Sequence, residues 1–237
     1  MSKFVHLHVH SHYSLLDGLT RIDELVAAAK ADRQPALALT DHGTLYGAIE
    51  FYKACKKAGV KPIVGMEAYL APRRRTDREK QVDERAYSHL ILLAKNRTGY
   101  QNLLQLTTKA HLEGFYYKPR IDWELLEQHG DGLIALTACL GGEIPRRIIE
   151  GNTDAVEAAI ARYMSRFGGD FYLELQHRND IPESRVVNAR LMELSRQHQI
   201  PVVATNDIHY LNAGDAEAHD VLLCLQTKSK QQDQGRL

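Results

Sequence analysis

At 237 residues the chain is long enough for one large domain, and α/β barrels of about 200–250 residues occur undivided. A hydrophobic content of 44% with 25% charged residues excludes a disordered or collagen-like chain, and 30 basic against 30 acidic residues exclude a global field that would hold a polyanion, so any nucleic-acid contact is local. No apolar run approaches the roughly 18 residues of a membrane span and no signal peptide opens the chain; the cysteines Cys55, Cys139 and Cys224 form no CxxC pair, so a cytoplasmic, reducing compartment is expected.

The first predicted strand, Phe4 to Val9, leads into an alternating run, His6-Leu-His8-Val-His10-Ser-His12. Residues two apart line one face of a strand and can reach one ion, and neutral imidazole is a common transition-metal ligand. The run alternates with Leu and Val and passes into Tyr13-Ser-Leu-Leu-Asp17-Gly18, which a purification tag does not do. Thr20 is the expected N-cap of a helix reaching about Arg33, before a second strand at Ala36 to Thr40. Leu45, Ala48, Ile49 and Tyr52 have helical spacing, and Gly59 and Pro62 stop that helix before a third strand ending at Leu70. The basic run Arg73-Arg74-Arg75, with Arg78 and Lys80, reads as a solvated loop in preference to a phosphate contact. Further strands are expected at His89 to Ala94, Leu133 to Thr137, Phe171 to Leu175 and Pro201 to Thr205. Asn152-Thr153-Asp154 opens a helix over Ala155 to Phe167, and the polar stretch Thr227 to Gln234 reads as a boundary of a piece of something longer.

Seven strands alternating with helices predict a parallel sheet, and a closed barrel fits the length better than an open sheet with a second domain. Such folds place their sites where strands end, and the ligand-capable residues gather there. His8 and His10 finish strand one and Asp17 follows; Asp41 and His42 follow strand two; Glu67 lies in strand three. Cys139 follows strand five, and Asp207 and His209 follow strand seven. His89 fits worst, because it opens its strand. Taken singly, each has an ordinary role, a buried thiol or a satisfied ion pair. Together these ten exceed the three or four ligands of one catalytic zinc, so two or three ions sharing carboxylates are expected, an arrangement suited to phosphate-ester hydrolysis. His6 and His12 read as non-ligands. His111, His129, His177, His198 and His219 lack a second ligand at useful spacing; His129 and His198 suit helix C-termini, and His177 is placed to contact substrate.

Five segments, Phe4 to Gly18, Leu39-Thr-Asp-His-Gly43, Lys61-Pro-Ile-Val-Gly-Met-Glu-Ala-Tyr69, Tyr116-Tyr-Lys-Pro-Arg-Ile-Asp122 and Ala204-Thr-Asn-Asp-Ile-His-Tyr210, resemble the polymerase-and-histidinol-phosphatase (PHP) family. The Tyr-Tyr-Lys-Pro-Arg segment favours the branch at the N-terminus of bacterial replicative DNA polymerase III alpha subunits. The resemblance implies one PHP domain over residues 1–237, an α/β, distorted (β/α)7 TIM-like barrel, as the N-terminal fragment of a longer polymerase chain. It implies the metal ligands His8, His10, Asp17, His42, Glu67, His89, Cys139, Asp207 and His209, with Glu67 bridging and Asp41 set behind them. The expected cofactors are two or three divalent ions, zinc first, with manganese or iron tolerated. The implied activity is a 3′–5′ proofreading exonuclease acting on the 3′ end of the primer strand, with Asp207 and His209 holding an ion or moving a proton. The remainder of the alpha subunit and other replisome subunits are the expected partners. Two alternatives are a phosphatase for a small substrate such as histidinol phosphate and a catalytically silent, metal-braced scaffold.

Overall fold

The computed structural model describes residues 4–79, 86–178 and 181–233. Helix α1 (Ile22–Ala31) buries Ile22, Leu25, Val26 and Ala29 along one stripe and places Asp23 and Glu24 at the positive end of its dipole. Its expected cap is corrected: Arg21 takes the N-cap position with no side-chain bond, and Thr20 is buried instead. Strand β1 (Ala36–Leu39) precedes α2 (Ala48–Ala58), which ends at Gly59 with φ +77°, a left-handed conformation that a residue without Cβ adopts at little cost. The buried face of α2 departs from the expected stripe. Phe51 and Cys55 complete a cluster with Ile22 and Leu25, which turns Ile49 and Tyr52 outward.

The chain continues through β2 (Lys61–Leu70), β3 (Ser88–Ala94), α3 (Arg97–Leu112), β4 (Phe115–Tyr116), β5 (Lys118–Ile121), α4 (Trp123–His129) and β6 (Leu133–Leu136). Then follow α5 (Glu143–Ile149), α6 (Thr153–Phe167), β7 (Phe171–Gln176), α7 (Pro182–His198), β8 (Val202–Thr205) and α8 (Ala216–Thr227). Asn152 caps α6 as expected, accepting the Ala155 N–H at 3.1 Å. Arg75 is not in a solvated loop: its side chain is 13% exposed and pairs with Glu113 at 2.6 Å and with Asp122 and Glu124 at 3.1 Å. Three carboxylates from the α3 C-cap, the α4 N-cap and α4 draw it in; Lys80 lies outside the described residues.

The strands form one curled sheet in the order β4-β5-β2-β3-β6-β7-β8, with β1 also paired to β2. An all-parallel sheet is not what forms, because β3 runs antiparallel to both β2 and β6 while the β1–β2, β2–β5, β6–β7 and β7–β8 pairs are parallel. No helix lies between β2 and β3 among the described residues, and a strand without a crossover helix returns in the opposite direction. The reversal puts the first residues of β3 beside the last residues of its neighbours, with His89 opposite Tyr69.

The first predicted strand is also corrected. Residues 4–10 form no ladder beyond a single bridge from Val9 to Ile208. His10 N–H donates to Ile208 O at 2.7 Å and Ile208 N–H to His8 O at 3.2 Å, while Thr40 N–H donates to Val9 O and Ala38 N–H to His6 O, both at 2.9 Å. The segment thus bonds to the β1 region and to the turn after β8. Leu7 packs with the inner apolar cluster and His8, its neighbour, also faces inward, which breaks the period of two that a strand requires.

Apolar residues divide by face. Leu90 and Leu92 of β3 join the large cluster under α3, α4 and α6, whereas Ile91 and Leu93 meet Ala38, Leu136 and Ala138 on the inner face, in the same parity as His89. Gly65 lets β2 and β3 approach, since a Cβ there would lie 2.6 Å from Leu93 Cδ2 and 2.7 Å from Leu92 O. Among the described residues no helix is long and apolar enough to cross a membrane. Gly65→Ala should lower the urea-unfolding free energy by about 1–3 kcal/mol through overpacking, and an unchanged midpoint would show that the sheet accommodates the methyl group.

Candidate metal centre

Glu67 enters the inner face from β2 as a buried carboxylate with no hydrogen-bond partner on either oxygen among the described residues. His8 Nε2 approaches Oε1 at 3.3 Å and His89 Nδ1 the same oxygen at 2.9 Å. On the other oxygen, His42 Nδ1 stands at 2.5 Å and His10 Nε2 at 3.6 Å. Asp207 Oδ1 lies 3.1 Å from His8 Nε2 and 3.4 Å from His10 Nε2, held there by a backbone with φ +51°, a left-handed conformation uncommon outside glycine. Asp17 reaches His42 Nε2 at 3.1 Å, and Cys139 Sγ lies 3.6 Å from His89 Nδ1. The His209 ring stacks on His10 at 4.3 Å. Eight of the nine residues expected as ligands fall in three groups with ligand atoms within 4.8 Å of one another: His10, His42 and His209; His8, His10 and Asp207; Glu67, His89 and Cys139; Asp17 belongs to none of the three and joins the cluster through His42.

Behind this cluster, hydrogen bonds fix which nitrogen each ring presents. Glu174 Oε1 accepts from His8 Nδ1 at 2.7 Å, which turns Nε2 toward Glu67 and Asp207. Ser14 Oγ donates to Asp41 at 2.8 Å and so accepts from His10 Nδ1 at 2.9 Å, again turning Nε2 inward. The Asp207 carbonyl oxygen accepts from His209 Nδ1 at 3.0 Å, freeing the other nitrogen of that ring. Asp41 is committed to Ser11 and Ser14 and touches no cluster ligand atom directly, apart from this relay.

Burial opposes charge at each position; neighbouring charges overcome it at His8, His42, Glu67 and Asp207, whereas burial prevails at His10 and Cys139. At His8, Asp207, Glu174 and Glu67 outweigh burial and raise the pKa well above the imidazole range; at His42, Glu67 and Asp17 push it up to about 10. His10 is driven down to about 3 by burial and by the positive charge of His42. Glu67 lies well below the carboxylate range despite burial, because His89, His42 and His8 surround it; Asp207 is lowered chiefly by His8. The Cys139 thiol is raised by burial and by Asp207 and Glu67. Four carboxylates, Asp17, Glu67, Glu174 and Asp207, thus crowd one pocket and call for cations.

The donor set suits metal. Imidazole, carboxylate and one thiol are the mixed ligands that borderline divalent ions take, and the atoms lacking a hydrogen-bond partner among the described residues include His8 Nε2, His10 Nε2, His42 Nδ1, Asp17 Oδ1, Asp207 Oδ1 and both Glu67 oxygens. A protein-family model described as the PHP domain matches residues 6–178. The chain belongs to the PHP family. It is 49% identical over 236 residues to the DNA polymerase III subunit alpha of Borreliella burgdorferi, covering 100% of this chain and 20% of that one. It is 48% identical over 237 residues to the same subunit of Thermus aquaticus, covering 99% of the chain and 19% of the relative. The matches fall on the N-terminal region of these subunits, and the chain spans about a fifth of their length. Among solved structures, a protein described as a metal-dependent phosphoesterase from Bifidobacterium adolescentis superposes with a TM-score of 0.59 at 18% identity, covering 87% of each chain. An amidohydrolase from Chromobacterium violaceum with bound sulfate superposes with a TM-score of 0.54 at 15% identity, covering 86% of this chain and 87% of that one. Both likenesses concern the fold.

The other histidines of the PHP domain stand apart from the three groups. His12 packs at a tilt against Tyr13 at 4.3 Å, and the half-buried His6 meets Phe4 edge to face at 4.8 Å. His177 is exposed, His129 and His198 end α4 and α7, and His198 also meets Glu157 at 2.8 Å. His219 Nε2 donates to Asp17 O at 2.9 Å and Gln226 Nε2 to Asp17 Oδ2 at 3.0 Å, so α8 braces the Asp17 loop. Sequence reasoning missed Glu174, although an acid in the middle of a buried strand, Phe-Tyr-Leu-Glu-Leu-Gln, was the available signal. Besides His8, Glu174 accepts from Thr205 Oγ1 at 2.5 Å and Gln176 Nε2 at 2.9 Å. Glu174→Ala should destabilise the protein by about 3–5 kcal/mol in urea unfolding, because it strands these buried partners. A cost under about 1 kcal/mol would mean that Glu174 bears no structural charge.

Proposed function

We propose that this PHP domain is a metal-dependent phosphodiesterase that removes nucleotides from the 3′ end of a DNA strand, the proofreading 3′–5′ exonuclease of a bacterial replicative polymerase. The observation that carries the reading is the convergence of buried ligand atoms without hydrogen-bond partners on the two oxygens of Glu67. The domain, residues 1–237, is read as one part of a longer cytoplasmic polymerase chain, with DNA, the rest of that chain and other replisome subunits as partners. Residues 6–10 are read as the seventh stave of a distorted (β/α)7 barrel, bonded on one side to the β1 region and on the other to the turn after β8.

His8, His10, Asp17, His42, Glu67, His89, Cys139, Asp207 and His209 would hold two or three ions, zinc first, with manganese or iron as alternatives. Such ions lower the pKa of a bound water toward neutrality and clamp the oxygens of an in-line phosphoryl displacement. Glu67, with one oxygen toward His8 and His89 and the other toward His42 and His10, bridges the two sides. Glu174 and the Asp41–Ser14 pair hold the His8 and His10 rings with Nε2 inward. Asp207 and His209 lie side by side at 3.6 Å, where either would hold an ion or, in place of that, take the proton released as the phosphodiester is attacked. The carboxylate field that raises His8 and His42 is the one that attracts a divalent ion in exchange for their protons.

Purified full-length protein with bound metal should release mononucleotides from a 3′ end. Asp207→Asn should cut that rate by about a hundredfold or more while leaving the circular-dichroism spectrum unchanged. Turnover of histidinol phosphate with no action on DNA would replace this reading by a small-molecule phosphatase. Chelation should stop hydrolysis and lower the melting temperature; on the linkage relation, an ion at 1,000 times its Kd contributes about 4 kcal/mol. Stoichiometric metal with neither activity would reduce the centre to a structural brace.

A further inference from the structure

The Tyr116-Tyr-Lys-Pro-Arg120 segment is well placed but takes no part in the chemistry above. Tyr117 is 73% exposed and has φ +62°, so the backbone adopts an uncommon left-handed conformation in order to hold a large aromatic ring out in water. Tyr116 meets it edge-on at 4.5 Å and is backed by the Arg120 guanidinium at 5.0 Å. Lys118 Nζ lies 5.4 Å over the ring of Tyr69 and pairs with no carboxylate among the described residues. Tyr69 in turn packs 5.5 Å from His89 and 5.9 Å from His42.

The segment is seated firmly on the metal centre. A Cβ at Gly43, next to His42, would stand 2.8 Å from Pro119 Cγ, so the two turns interlock. His111 Nε2 donates to Gly43 O at 3.2 Å, and its ring is flanked by the exposed Tyr46 and Phe115, each 6.3 Å away. Tyr46 and Phe115 thus flank His111 beside the His42 turn, and Tyr117 stands exposed at the β4–β5 turn next to Lys118, whose ammonium pairs with no carboxylate among the described residues.

We propose that this surface, centred on Tyr117 and Lys118, is a stacking platform for the unpaired bases of a single-stranded nucleic acid whose terminal phosphodiester occupies the metal centre. The proposal rests on the phosphodiesterase reading and names its substrate as a frayed single strand. Aromatic faces accept any base, and an adjacent cation neutralises a backbone phosphate, the combination by which proteins hold single strands without reading sequence. A duplex end presents its bases already stacked and paired, and gains nothing from an isolated ring.

The test uses the full-length protein and two substrates: an oligothymidine 3′ tail and the p-nitrophenyl ester of thymidine 5′-monophosphate, which is too short to span the platform. Tyr117→Ala should raise KM for the tail roughly tenfold more than KM for the ester, with Tyr117→Phe restoring the tail value. Lys118→Gln should reduce the salt dependence of tail binding by about one ion. A tail carrying 5-iododeoxyuridine three or four residues from its end should photocrosslink to Tyr117. Equal KM changes for both substrates, with hydrolysis intact, would overturn the platform and leave the phosphodiesterase standing. If neither substrate is cleaved by the parent protein, the phosphodiesterase reading fails; the crosslink then decides the platform alone, its presence at Tyr117 supporting it and its absence overturning it.

Discussion

The carboxylate of Glu67 has both oxygens withdrawn from water, and four imidazoles, those of His8, His10, His42 and His89, close around it at 2.5–3.6 Å. A buried carboxylate without compensation costs several kcal/mol, so this charge dictates where the surrounding elements must run. Its histidines come from the segment before α1, the turn after β1 and the start of β3, and a flat sheet could not deliver them to one point. Curling brings them together, and the small residues Gly65, Ala38 and Ala138 on the inner face keep the floor narrow enough. The apolar floor also lowers the local polarity, which strengthens each interaction among the charges above it.

Much of the centre was legible because ligating side chains are a chemically narrow set and strand ends are recognisable from apolar runs. Asp41 shows the limit of composition: it neighbours His42, yet its oxygens are occupied by Ser11 and Ser14. His89 looked misplaced only because strand direction is invisible in a period-two pattern. Once β3 runs antiparallel to its neighbours, the start of that strand belongs to the same edge as their ends. Residues 4–10 illustrate the opposite error, where a strand-like pattern hides Leu7 and His8 both turned inward. Arg75, Glu174 and the α2 face were misread or missed because each is decided by partners far away in the chain, Asp122, His8 and Ile22 among them.

In the polymerase alpha subunits to which the chain is near 50% identical, the matched region makes up about a fifth of the length, so the corresponding centre has further chain beside it there. The bracing of Asp17 by His219 and Gln226 of α8 is relevant there. A strain applied to α8 reaches a cluster residue through two hydrogen bonds, whereas the Glu174 and Asp41 supports come from within the sheet and its turns. Of the nine clustered residues, Asp17 is therefore the one most open to influence from neighbouring structure.

The bonds between residues 8–10 and 207–209 also govern the order of assembly. His10 N–H reaches Ile208 O, and His8 stands against Asp207, across about 200 residues of chain. Contacts so distant in sequence are costly in loop-closure entropy and form late. On a ribosome working at roughly 5–20 residues per second, the first histidines wait at least about ten seconds for the aspartate that completes their pocket. The centre is thus completed only when nearly the whole sheet has been made, and its first histidines spend synthesis without the acid that faces them in the fold.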